Sequence, residues 1–377
     1  MNREYEVAAY YFPNYHLDKT NEEWHGPGWN EWELLKAAKP RFEGHIQPKV
    51  PMWGYEDEAD PVVMEKKISA AADHGLSAFI FDWYWHEEGP YLEKCLEEGY
   101  LKATNNDKLK FAVMWANHDW LEIQPAPRCQ PYQVRRRGPV SKEIFEKATQ
   151  HIIDTYFCHP SYWKVDGKLY FSIYELMSLV KGLGGLQETK NALDNLRDRV
   201  RAAGLGALHL NAVVWGLETL PTENTLTNPA EIIKYLGIDS ATSYVWVHHL
   251  EFMHFPDTSY PELREKCKTE HERLRREYKI TYFPNVTMGW DSSPRTIQTD
   301  VFENLGYPFY PVYTGNTPEE FEKALWDMKA FMDEGNVQPK VCTINAWNEW
   351  TEGSYLEPDT VNGMGYLEAI RNVFGKC

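Results

Sequence analysis

Eight short apolar runs recur along the chain, and most are followed by a stretch with helical periodicity. They predict strands over residues 6–11, 78–83, 111–116, 169–174, 208–214, 240–244, 281–287 and 341–346. Helices are expected over 61–74, 91–102, 141–156, 186–203, 229–236, 261–278, 318–332 and 366–374. Pro61, Pro229, Pro261 and Pro318 open four of these, with Asp60, Asn228 or Thr317 as the preceding cap in three. Gly75 and Gly204 stand where two helices should stop. Strands written as unbroken apolar runs suit a parallel sheet covered on both faces. Repeated strand–helix alternation predicts an α/β chain folded as a (β/α)8 TIM barrel, one domain over residues 1–377. The run at 240–244 is short and polar and fits least. A doubly wound open sheet is the rival, but no G-x-G-x-x-G follows the first strand. Two connections are long, 12–60 and 288–316. Both follow strands, on the side where a barrel carries its chemistry.

The eighth run leads into Asn345-Ala-Trp-Asn-Glu-Trp-Thr-Glu-Gly353, a polar, aromatic turn with two carboxylates three residues apart. Glycosidic bond chemistry needs two such groups, an acid for the leaving oxygen and a base. Two glutamates could instead be solvated at a helix start, where acids are favoured, but Asn345, Trp347, Asn348 and Trp350 make a poor solvated face. The other strand ends add Tyr10, Tyr11, Asp82, Trp83, Tyr84, Trp85, Trp115, Asn117, His118, Tyr174, Trp215, Tyr244, Trp290 and Asp291. Aromatic platforms with amides and acids describe a carbohydrate site. In the first long loop, Trp24, His25, Trp29 and Trp32 lie close together. They either stack on sugar or staple the loop to the body.

Composition narrows the classes. A net charge of -17 repels nucleic acid and suits a neutral substrate, an oligosaccharide or polysaccharide. Fifteen Trp and 23 Tyr exceed what a core of this size requires, and the surplus fits sugar stacking. Six cysteines contain no close pair, so neither a redox motif nor a zinc knuckle is expected, and Cys342 reads as a buried free thiol. His248, His249 and His254, and the His86-Glu87 pair, show no trusted metal spacing, so no metal and no cofactor are expected. No G-x-S-x-G elbow appears. No run reaches the roughly 18 apolar residues of a membrane span, and the N-terminus lacks an apolar signal core, so a cytoplasmic location is expected.

Several motifs together carry a resemblance: Tyr10-Tyr-Phe-Pro-Asn-Tyr15, Trp24-His25, Phe81-Asp-Trp-Tyr-Trp85, Met288-Gly-Trp-Asp291 with Arg295, and Trp347-Asn-Glu-Trp-Thr-Glu-Gly353. In these the chain resembles the WbsX-type proteins, labelled glycosyltransferases of lipopolysaccharide synthesis. Through them it is similar to glycoside hydrolase family 99, the endo-α-mannosidases and endo-α-mannanases. The resemblance implies a (β/α)8 barrel and retaining hydrolysis of α-mannosidic bonds through a 1,2-anhydro sugar. By motif position it implies Glu349 as base toward the substrate 2-hydroxyl and Glu352 as acid/base. Tyr244 would touch the reacting centre, with Tyr11 or Tyr10 at the first strand end. Thr351 stands where those hydrolases carry His, and Trp290-Asp-Ser-Ser where they carry Tyr-Asp-Asp. Two other functions compete: a glycosyl-transfer enzyme of polysaccharide assembly, for which no D-x-D is found, and a non-catalytic carbohydrate-binding barrel.

Overall fold

A computed structural model describes residues 4–215, 229–334 and 338–375. Asn228, the terminal Met1–Arg3 segment and Cys377 lie outside the described residues. Eight strand positions form one parallel barrel: Glu6–Tyr11, Ala78–His86, Lys110–Trp115, Lys168–Ile173, Leu208–Val213, Ser240–Thr242, a seventh strand in two pieces, and Val341–Asn345. The seventh breaks at Pro284, which has no N–H for a ladder. Its first piece, Thr281–Phe283, pairs with the sixth strand, and its second, Asn285–Thr287, pairs with the eighth. The Pro284 carbonyl still accepts from the Thr343 N–H at 2.9 Å. The first strand lies between the second and the eighth, with Ala8 opposite both Ala78 and Thr343. The barrel therefore closes through one broken strand.

The polar sixth strand has a physical reason. The barrel interior at this level is hydrogen-bonded rather than greasy: Thr242 Oγ1 meets Thr343 Oγ1 at 3.3 Å, and Ser240 Oγ accepts from Asn211 at 2.9 Å. Small hydroxyls there satisfy buried partners that an aliphatic side chain would strand.

Pro61–Asp73 starts as expected, with the Asp60 carboxylate accepting from the Val62 N–H. The helix expected over 91–102 is displaced. The second strand runs on to His86 and turns back through Gly89–Tyr91 as an antiparallel hairpin, and helical structure resumes as a π-turn segment over Cys95–Tyr100. Gly99 is needed there, because a Cβ would sit 2.2 Å from the Glu58 carbonyl oxygen. The helix expected over 141–156 continues past Lys142–His151 as a π-helical segment, Ile152–Phe157. The long loops carry structure of their own. The first holds the helices Lys19–His25 and Trp32–Ala37. The second holds a 3-10 turn, Ser293–Arg295, and the strand Val312–Thr314 paired with Asp257–Ser259.

Candidate functional site

After the eighth strand the chain makes a small hairpin, Asn348–Glu349 against Ser354–Tyr355, around the 3-10 turn Trp350–Glu352. Gly353 closes it with φ +63, and a Cβ there would lie 2.6 Å from that of Asp291. Residues flanking the glutamates hold the turn in place. The Trp347 and Trp350 indoles donate to the two oxygens of Glu357 at 2.8 and 2.7 Å. Glu357 and Glu58 share the buried Lys67 ammonium at 2.6 and 2.5 Å. Asn348 clamps the Phe12 backbone through both its amide groups and donates to Glu58 at 2.8 Å. Burial pushes the Glu58 carboxyl up to about 7 against the pull of Lys67.

With its flanks fixed, the turn points Glu349 and Glu352 into a cleft and onto one guanidinium. Arg295 Nη2 lies 3.3 Å from Glu349 Oε2, Nη1 donates to Glu352 Oε1, and Nε reaches Glu31 Oε1 at 2.9 Å and Thr351 Oγ1 at 3.0 Å. The Tyr307 hydroxyl donates to Glu352 Oε1 at 2.6 Å. Tyr244 donates to Asp82 Oδ2 at 2.9 Å and stands 3.4 Å from Glu349 Oε1. Burial, then the nearby Glu352 charge, pushes the Glu349 carboxyl well above the usual carboxylate range, only partly offset by Arg295. Burial likewise raises Asp82, against the Tyr244 hydrogen bond. For Arg295, burial opposes the charge, but Tyr307 and the three glutamates more than restore it.

The cleft brings together nine of the residues expected from sequence: Glu349, Glu352, Tyr244, Asp82, Tyr84, His118, Tyr174, Trp290 and Arg295. It leaves out others. Trp83 and Trp85 sit in the helix layer beside His151, and the Trp83 indole donates to Tyr156. Trp115 is fully buried against Phe145. Strand alternation explains this, since Asp82 and Tyr84 line the cleft while their neighbours face outward. Of the tryptophans expected at the mouth, Trp290 lines the cleft, whereas Trp24, Trp83, Trp85 and Trp115 are not part of its lining. Trp24 packs on Tyr91 with Arg135 and Arg136 over its ring, as a loop staple would, and His25 stacks on its loop neighbour Trp29. Tyr11 faces Phe79 and Phe81, and Tyr10 lies beneath Tyr244 with ring centres 4.6 Å apart. Asn117 ties the Glu175 backbone, and Asn348 serves the clamp already described. Asp291 binds His45 and Gln47 of the first loop, each at 2.7 Å. Burial pushes its carboxyl up, but His45, the Ser293 N–H and the Lys49 charge together hold it below the usual range.

Sequence reasoning missed Glu31, Tyr307 and Gln124, on loops, and Trp120, on the two-residue strand Trp120–Leu121, where no periodicity marks them. Among the described residues, one trio has metal-type donors in reach of one another: Glu93, Glu97 and His151, outside the cleft. Glu97 there already accepts from Tyr156 at 2.7 Å and lies 3.0 Å from His151 Nε2. The five described cysteines are free, and Cys342 is buried as expected.

Comparison with solved structures places the barrel among glycosidase-type folds. The GH99 endo-alpha-mannosidase from Bacteroides thetaiotaomicron aligns over 98% of this chain and 96% of its own, with a TM-score of 0.56 at 16% identity. A glycoside hydrolase-like protein aligns over 100% and 95%, with a TM-score of 0.61 at 15% identity. A family 1 b-glucosidase from Thermotoga maritima aligns over 100% and 99%, with a TM-score of 0.51 at 11% identity. Identities this low speak for the fold alone. In sequence, the uncharacterized protein WxcX of Xanthomonas campestris pv. campestris is 28% identical over 98% of this chain. The chain spans about half the length of that relative, 50%. Residues 7–370 match the family described as Glycosyltransferase WbsX, and the chain belongs to that family.

Proposed function

We propose that this protein is a carbohydrate-active enzyme, a retaining α-glycoside hydrolase that uses Glu349 and Glu352 on a mannoside-type substrate. The observation that carries the reading is the buried carboxylate pair at the end of the eighth strand, gathered on one arginine at the floor of a cleft. In this chemistry Glu349 takes the proton of the sugar 2-hydroxyl, whose oxygen closes on the anomeric carbon as the bond to the leaving oxygen breaks. Glu352 gives that oxygen a proton, then takes one from the water that reopens the ring, while Glu349 returns the first proton to the 2-oxygen. Glu352 Oε1 is occupied by Arg295 and Tyr307, so Oε2 is the oxygen that faces this task. Tyr244 lies against Glu349 and supports it.

Sugar transfer, suggested by the family's description, is the second reading. A nucleotide-sugar donor needs cations for its diphosphate. Among the described residues, the cleft lining has one arginine, already shared by three glutamates, and no lysine, which favours hydrolysis or transglycosylation.

Glu349→Gln and Glu352→Gln test the assignment. Each should keep the fold and lower turnover by roughly 10²–10⁴-fold. A substrate with a good leaving group should partly rescue Glu352→Gln and not Glu349→Gln. Near-normal turnover of both variants on a cleaved glycan would make the pair structural.

A further inference from the structure

The cleft has more acid than it can satisfy. Asp82, Glu349 and Glu352 face it, and among its described lining residues Arg295 is the one permanent cation. That guanidinium is committed to Glu31, Glu349 and Glu352. His118 and His248, also in the lining, are held below their ordinary range by burial and so stay neutral. Asp119 at the rim is answered by Arg137 at 2.9 Å. Asp82 is left over. It is 4% exposed, its Oδ2 accepts from Tyr244, and its Oδ1 is buried without any hydrogen-bond partner. A buried carboxylate oxygen without a donor is costly, and in a cleft the missing donor belongs to the ligand.

We propose that the sugar ring taken by this cleft carries a free amino group, whose ammonium pairs with Asp82; this rests on the carbohydrate reading above. A hydroxyl could reach Oδ1 too, but burial pushes the Asp82 carboxyl toward its neutral form, and a hydroxyl would leave it there. An ammonium both donates to Oδ1 and favours the ionised carboxylate beside it. The chemistry assigned to Glu349 requires an intact 2-hydroxyl, so the amine sits on another ring carbon or on the exocyclic one. An N-acetylated sugar would be disfavoured, since acetylation removes the charge.

Calorimetric titration of the full chain tests this, at a pH where sugar amines are charged. The ligands are methyl α-D-mannopyranoside, its monoamino analogues substituted away from the 2-position, and their N-acetyl forms. One amine should bind at least about tenfold tighter than both its N-acetyl form and the parent, as a close charge pair in a desolvated site would give. Asp82→Asn should abolish that preference while the parent still binds. If the variant does not fold, the comparison among ligands on the unmodified protein decides alone. Equal binding of parent and amines overturns the amino-sugar inference and leaves the carbohydrate reading standing. A preference that survives in Asp82→Asn also overturns it. Failure of every sugar to bind counts against both.

Discussion

Glu349 and Glu352 differ in their surroundings more than their spacing suggests. Glu352 Oε1 accepts from Arg295 and Tyr307, whereas Glu349 has longer contacts and is pushed up by burial and by its neighbour. These surroundings favour a proton on Glu349, the residue proposed above as the base. A sugar that offers its 2-hydroxyl to Glu349 and its leaving oxygen to Glu352 draws the proton across. The pH profile should show it. A base works only when ionised, so a raised pKa moves the acid limb of kcat/KM toward neutral pH. In Glu352→Gln, assayed with a good leaving group, the adjacent charge is gone, and the limb should move to lower pH. An unmoved limb would show that the two carboxyls do not interact. Asp291 gives the opposite sign. Its carboxyl is held down in the folded state, so the stability it contributes is present above the unfolded pKa and is lost as pH falls through the folded one. Asp291→Asn should cost about 1–3 kcal/mol at neutral pH, and the gap to the parent protein should close in acid. Denaturant melts at two pH values measure it.

At the level of elements, the sequence was most legible where period and burial agree. The first strand, 6–11, has its expected bounds, and the others come within a few residues. The second strand shows the limit. Asp82, Trp83, Tyr84 and Trp85 all read as mouth residues, yet a strand sends alternate side chains to opposite faces. An apolar run buried on both sides gives no polarity contrast to tell inside from outside, so the run was visible and its phase was not. The loops were illegible for another reason. Glu31, Arg295 and Tyr307 meet only because two long connections fold over the mouth, and nothing local encodes that meeting. Arg295 was named through its resemblance alone. The packing assignments can be checked. Trp115→Ala should destabilise the barrel by about 3–5 kcal/mol and leave sugar affinity unchanged in the folded protein. Trp290→Ala should weaken sugar binding with a smaller cost in stability. Titration calorimetry beside thermal melts separates the two, and a binding defect confined to Trp115→Ala would reverse the assignment.

For the molecule as a whole, the barrel class and the acidic balance agree, since a chain of net charge -17 is poorly made to hold a polyphosphate. Among the described residues, no helix is long and apolar enough to cross a membrane. The chemistry proposed here runs on carboxylates, so exhaustive chelation should leave turnover unchanged. Activity lost to EDTA and restored by a divalent ion would direct attention to the Glu93, Glu97 and His151 trio.

The wiring around Arg295 also has a consequence in time. Its partner Glu31 lies 264 positions earlier in the chain, and Thr351, which donates to the same Glu31 oxygen, is 320 positions from it. The first strand, too, finds one of its two neighbours only in the eighth. A ribosome releasing this chain therefore displays nearly every strand before the seam can close or the cleft's charges can meet. Until then Glu31 is an acid awaiting its cation, and the turn that carries Glu349 and Glu352 has not been made. The candidate site is among the last things this protein acquires, and a chain cut short before the eighth strand would have neither that site nor a closed barrel.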